Sequence, residues 1–223
     1  MRTLKNAMLM LIGFCLLGAM GCGGGTATGG SAGSAENLSF EGWANYVGGN
    51  YEKSEEVFLD ALSLDPQSTE AFNGLGWLKF QMAGQEGNAE IRESILSDSR
   101  TNFQKATTLD PSNVDAWVGL SGLELQLGNW TDARDSANRA LTIDPNYFST
   151  HDNIDFNDIH LILAQAYFFL GSFVHTAETA DPNNTLHHID AVAPGYKDFY
   201  HSNGLSPADL ITKIGELQGL KEL

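Results

Sequence analysis

Two short stretches of the chain gather side chains that could do chemistry. His187, His188 and Asp190, with His201 further on, are of the types that ligate a transition metal. Asp152, Asp155 and Asp158 recur at i, i+3 and i+6, which would set three carboxylates on one helix face, an oxygen-rich arrangement suited to calcium. Neither group carries its pattern further. No other ligand type at zinc spacing accompanies the histidines, and the alternate-residue spacing of a calcium-binding loop is absent. Solvated loop residues account for the first group, and a capped helix start with an acidic first turn accounts for the second. The chain has no glycine loop followed by Lys-Ser/Thr, no G-x-S-x-G, no H-E-x-x-H and no C-x-x-C. "GLGW" at 74–77 follows no strand, so it is a helix-packing site rather than a dinucleotide motif. The expectation is a non-catalytic protein with no metal and no cofactor.

Two cysteines remain, Cys15 and Cys22. Cys15 lies in an apolar run from Ala7 to Leu17 that follows Arg2 and Lys5 and leads to small residues ending at Gly21, the layout of a secretory signal. A helix of that length falls short of the roughly 30 Å hydrocarbon core. Ala19-Met20-Gly21-Cys22 resembles the bacterial lipobox, departing from it at Ala19, where the family prefers Leu, and at Met20, where it prefers a small residue. The resemblance implies a lipoprotein signal peptide at 1–21 and acylation of Cys22. It also implies a place in the bacterial cell envelope, held to the membrane by the acylated N-terminus. Since Gly23 is not the Asp that retains such proteins in the inner membrane, the outer membrane facing the periplasm is expected. An ordinary signal cleaved nearby, with Cys22 incidental, is the alternative. Residues 22–35, rich in Gly, Ser and Thr, read as a flexible tether. With Cys15 removed, Cys22 has no cysteine to pair with and is engaged as a lipid site.

With 12 basic and 28 acidic residues the chain carries −16, and removal of residues 1–21 would take Arg2 and Lys5 and no acid, leaving −18. A nucleic-acid partner requires the opposite sign, and so does a patch lying on anionic lipid.

The elements that must position any site are announced by a repeated hexapeptide: "ALSLDP" at 61–66, "ATTLDP" at 106–111, "ALTIDP" at 140–145 and "AETADP" at 177–182. The prolines are spaced 45, 34 and 37 residues apart, a period that signals stacked supersecondary units. In the unit 112–145, Trp117, Leu120, Ser121 and Leu125 fall at helical spacing. Gly128-Asn129 breaks the helix, and Trp130, Ala133, Ala137 and Ala140 form a second stripe that Pro145 stops. No alternating strand pattern occurs.

This unit resembles the tetratricopeptide repeat in Trp117, Leu120-Ser121, Gly128, Trp130, Ala133, Ala140 and Pro145, and departs from it at Glu124, where the family usually has Tyr. Phe72, Leu75, Gly76, Phe103, Ala106 and Pro111 mark another unit. Gly42, Gly49, Tyr51, Phe58, Ala61 and Pro66 mark an earlier one, and Leu163, Ala164, Tyr167, Gly171, Phe173, Ala177 and Pro182 a fourth. The resemblance implies an all-α solenoid of about four helical hairpins over residues 36–182. The extra residues before Pro111 read as a second helix lengthened at its start to about 22 residues, capped by Asn88. A polar loop at 146–154 precedes a helix starting near Asp155. The non-repeat extension 183–223 ends in an amphipathic helix, with Ser206 as cap and Pro207 in its first turn, suited to closing the solenoid.

In the tetratricopeptide family four positions of each first helix face a concave groove. Transferred to this chain they are Glu36, Ser39, Trp43 and Tyr46; Glu70, Asn73, Trp77 and Phe80; Asp115, Val118, Gly122 and Leu125; and Asp158, Leu161, Gln165 and Phe168. None is basic, which removes the clamp that family members place on a partner's terminal carboxylate. An aromatic floor with one acidic residue per repeat suits an apolar helix or peptide carrying Lys or Arg. The resemblance thus implies a membrane-anchored protein-interaction scaffold. Its layout is similar to that of tetratricopeptide lipoproteins in β-barrel assembly and type IV pilus secretin assembly. Coverage of Trp43, Trp77 and Phe80 by the chain's own ends is one alternative; stacking of the aromatics on a glycan or small ligand is another.

Overall fold

The computed structural model describes residues 34–174 and 181–221. The expected signal peptide, Cys22, the tether up to residue 33, and Ala177 of the fourth unit lie outside them. Three consecutive helical hairpins open the fold: α1 (Ala35–Val47) with α2 (Tyr51–Leu64), α3 (Thr69–Gln85) with α4 (Ala89–Leu109), and α5 (Val114–Gln126) with α6 (Trp130–Ile143). Next come α7 (Phe156–Phe169), α8 (Thr185–Val192), α9 (Tyr196–Ser202) and α10 (Pro207–Lys221). The first helices α1, α3, α5 and α7 touch in that order and form one wall, while each hairpin docks on the next through α2–α3, α4–α5 and α6–α7. Among the described residues there is no named strand, and no helix is long and apolar enough to cross a membrane.

Why the hexapeptide recurs is visible in its atoms. Its alanines, Ala61, Ala106 and Ala140, are fully buried. Its aspartates, Asp65, Asp110, Asp144 and Asp181, each accept the backbone N–H two residues on, at 2.9 Å, and the first three so fold the chain out of the preceding helix where proline forbids its continuation. In the first two copies a cap comes directly after: Ser68 accepts from Ala71 N–H and Asn113 from Ala116 N–H. Three of the four first helices, all but α3, end alike. α1, α5 and α7 all close through a glycine at positive φ (Gly49, Gly128, Gly171), with N–H groups returning to the last turn's carbonyls.

Spacing between hairpins is set by two phenylalanines. Fully buried, the Phe58 ring lies between Gly42 of α1 and Gly74 of α3, where a Cβ would come within 2.6 and 2.1 Å of it. Phe103 lies likewise between Gly76 of α3 and Gly119 of α5, at 2.5 and 2.3 Å. Glu124, the departure from the family pattern, is buried, and it receives a two-pronged ion pair from Arg100 and a hydrogen bond from Asn129.

The lengthened helix is α4, 21 residues, with Asn88 accepting from Glu90 and Ile91 N–H. Only part of the fourth unit lies within the described residues. Phe173, expected inside a second helix, comes after the α7 closure without helical structure. Among the described residues α8 packs on α7, held there because Thr185 and Leu186 N–H donate to the Ser172 and Phe173 carbonyls at 2.9 and 3.1 Å. Leu210, Ile214 and Leu217 of α10 bury against Leu161, Leu186 and Ile189, so the terminal helix covers the end of the solenoid.

The glycine pockets yield a two-sided test by urea denaturation. Gly74→Ala forces a methyl into a ring pinned from the opposite side, so overpacking outweighs the gain in helix propensity and stability should fall by about 1–2 kcal/mol. Gly215→Ala in α10 meets nothing within 4 Å and should raise it by about 0.5–1 kcal/mol.

Candidate functional site

The wall formed by α1, α3 and α5 is occupied, and the occupant is the chain itself. The connections 65–68 and 110–113 take four residues, whereas 144–155, between α6 and α7, takes twelve. The turn at Asp144 starts like the others; eight further residues then intervene before Asp155 caps α7 by a reciprocal capping box with Asp158. The added segment is a small hairpin. Phe148 pairs with Asp155, Phe156 N–H donates to the Tyr147 carbonyl, and Ser149 Oγ accepts from the N–H groups of His151 and Asp152 at its tip.

The tip puts His151 into the groove. Its Nε2 meets Asp115 Oδ2 at 2.9 Å and its Nδ1 meets Asp152 Oδ2 at 2.9 Å, so both nitrogens face carboxylates and both act as donors in the imidazolium. The ring stacks on Trp43 with centroids 4.1 Å apart and planes 19° apart, and it meets Trp77 and Tyr46 edge-on. A cation held on the Trp43 indole face between two carboxylates gains both cation–π and ionic stabilisation. Burial alone would depress the imidazole pKa; Asp115 and Asp152 outweigh it and raise it from 6.5 to about 9.

Asp115, in the first turn of α5, is the centre of the arrangement. Besides His151 it accepts from Asn73 Nδ2 at 2.7 Å, Trp77 Nε1 at 2.9 Å and the Tyr147 hydroxyl. Burial pushes its pKa up, but these donors prevail and the net shift is downward. The price of this geometry is one buried acceptor, Asn73 Oδ1, without a partner among the described residues. Asp152 also accepts from the Tyr46 hydroxyl at 2.8 Å, and the Trp43 indole N–H donates to Glu70 at 2.5 Å. Burial raises the Glu70 pKa, with the Trp43 bond working against the shift.

Of the residues expected to line the groove, Trp43, Tyr46, Glu70, Asn73, Trp77 and Asp115 converge around His151. Phe80 is half-buried beside Trp77. Val118 and Leu125 are core, Asp158 serves the α7 cap, and Leu161 and Phe168 pack against the C-terminal cluster. The floor is therefore covered by an internal connection. His151, Asp152 and Tyr147 are residues that sequence reasoning places in a polar loop; the available signal is a groove with acids and no base.

The histidine group differs from the solvated loop expected of it. His187 and His188 lie in α8, and His188 is buried, stacked on Tyr167, with its Nδ1 2.9 Å from that of His160. Burial pushes its pKa down to about 3. No group of three potential metal ligands comes together among the described residues.

Residues 85–148 match one sequence model of the tetratricopeptide repeat and residues 48–68 another. A thermophilic tetratricopeptide protein of Thermus thermophilus is similar in fold, with a TM-score of 0.55 at 14% identity over 82% of this chain and 81% of that one. The Arabidopsis OM64 tetratricopeptide domain aligns over 50% of this chain and 84% of that one, at 17% identity and a TM-score of 0.43. No curated protein matches the sequence. The chain folds as an all-α, tetratricopeptide-like helical solenoid whose residues 48–68 and 85–148 match the repeat.

Two measurements check this geometry. The raised His151 pKa contributes stability that is full below about pH 6.5 and lost as the pH rises through about 9. Between pH 7 and 10 the wild type should therefore lose about 2–3 kcal/mol more than His151→Gln in urea titrations. Trp77, 4% exposed and bonded to Asp115, is structural as well as groove-facing. Trp77→Ala should lower stability by about 3 kcal/mol or more, read as the shift in urea midpoint.

Proposed function

We infer that the protein is a non-catalytic interaction scaffold, tethered to a membrane of the bacterial envelope through acylated Cys22, whose concave groove takes a segment of a protein partner. Tetratricopeptide domains generally mediate protein–protein interaction, and the groove chemistry supports that use here. The carrying observation is the cage of Trp43, Trp77, Asp115 and Glu70, built around a cationic side chain. A partner segment bearing basic residues on an apolar strand or helix matches it. The overall charge of −16 adds long-range attraction for such a partner. Sugar stacking fits less well, because the Trp43 face is paired in this structure with a cation, His151, held between Asp115 and Asp152.

The lipobox-like Ala19-Met20-Gly21-Cys22 supports the anchor, and Gly23 supports the outer membrane as its address. Three acyl chains far exceed what stable anchoring requires. Cys22→Ser should release a soluble form or block processing of the precursor; mature-sized protein that stays with the membrane would contradict the anchor. Crosslinking from membranes should capture a protein partner, and the yield should fall several-fold from low to high salt as the Debye length drops below about 10 Å.

A further inference from the structure

We propose that the hairpin at 148–155 is a displaceable internal ligand of the groove, and that the outside partner replaces it with an arginine seated on Trp43 and Asp115. The proposal rests on the groove reading above and specifies which partner chemistry it takes. Three observations carry it. First, the hairpin is surplus to the connection. The Asp144 turn alone matches the two four-residue turns, so eight residues of slack allow the tip to leave while α6 and α7 stay folded. Second, the tip is held from the groove side by polar and ring contacts: His151 to Asp115, Asp152 to the Tyr46 hydroxyl, and the stack on Trp43. Each can be exchanged for an equivalent contact from another chain. Third, without the tip a carboxylate faces two aromatic side chains with no cation, and Asn73 Oδ1 is already an acceptor lacking a donor among the described residues.

Arginine fits this place better than lysine. A guanidinium is planar, so it can stack on the Trp43 face as the imidazolium does while its N–H groups reach Asp115. An ammonium supplies the charge but no plane. The loop competes with such a segment because a ligand on a short tether acts at an effective concentration in the millimolar range. The charged and titratable groups that face the exchange are Asp115 of α5, Glu70 of α3, Tyr46 of α1, and Asp152 and Tyr147 of the connection.

The test uses the full chain and a synthetic nonapeptide of residues 147–155 with arginine in place of histidine, measured by fluorescence anisotropy. His151→Ala combined with Asp152→Ala unfastens the tip and should bind the peptide at least tenfold more tightly than the wild type. The gain should vanish when Trp43→Ala is added or when the peptide carries glutamine for arginine. Far-UV circular dichroism checks that the variant is folded. Deletion of 147–154, which restores a four-residue connection ending in the Asp155 cap, is the second variant and should show the same gain. Equal binding to wild type and both variants, or no binding to any, would overturn the proposal. If the peptide results hold but the membrane partner is still captured after Trp43→Ala, the internal ligand stands and the groove reading of the partner falls.

Discussion

Phe58 and Phe103 can sit where they do only because four glycines leave room for them. Each ring is clamped by one glycine of its own hairpin and one of the next, so the pair fixes how closely α1, α3 and α5 approach. α3 carries a glycine for each ring, Gly74 and Gly76, and is packed from both sides through them. Close packing of this sort leaves little play between neighbouring helices. The site inherits that rigidity. Trp43 stands edge-on to Phe58 and Trp77 edge-on to Phe103, with centroids 5.6 Å apart in both cases. Gly42 and Gly76 directly precede those tryptophans, so "GW" occurs twice as one device: the glycine admits the ring and the indole lies over it.

On this rigid floor the electrostatics are concentrated in one carboxylate. Asp115 draws donors from α3 and from the connection, so one side chain ties three segments together. Buried ion pairs return little net stability when both charges must be desolvated, but an unpaired member is costly. Here the anion is part of the repeat wall and the cation belongs to an added loop. The loop is thereby tied to its place by the cost of leaving Asp115 without a cation, together with the burial of Tyr147 and Ile154 against the repeat core.

The regular part of the chain was legible because regularity is itself a constraint. Buried Ala61, Ala106 and Ala140, the aspartate turns and the "GW" pairs repeat, and repeated constraints leave repeated letters. Asn88 and Ser206-Pro207 announced helix starts through local hydrogen-bond chemistry that depends on no distant residue. The site was half legible. The aromatic and acidic wall could be placed by register, but its occupant could not, since His151 comes from a segment that belongs to no repeat and meets Trp43 across about a hundred residues of sequence. The packing of α8 on α7 was hidden for a related reason: Gly171 closes α7 like its counterparts, but it is the Ser172 and Phe173 carbonyls that hold α8, from beyond Pro182. Nor could His188 be read as buried, because its neighbours His160 and Tyr167 come from α7.

The third unit shows why the added hairpin and the groove suit one another. At the position of Trp43 and Trp77 it has Gly122, with the Phe80 ring 3.6 Å from where a Cβ would lie. A third indole is absent there, and the connection brings Tyr147 and His151 toward the Asp115 end of the same helix. An internal ligand of this kind changes the affinity scale of the groove without changing its shape. If the tip is seated about 99% of the time, the apparent affinity for any competitor falls about a hundredfold. A weakly basic segment would then be excluded, while one that presents a planar cation together with further contacts along the wall would not. The discrimination comes from the competition, and it requires no movement of the helices that Phe58 and Phe103 hold in register.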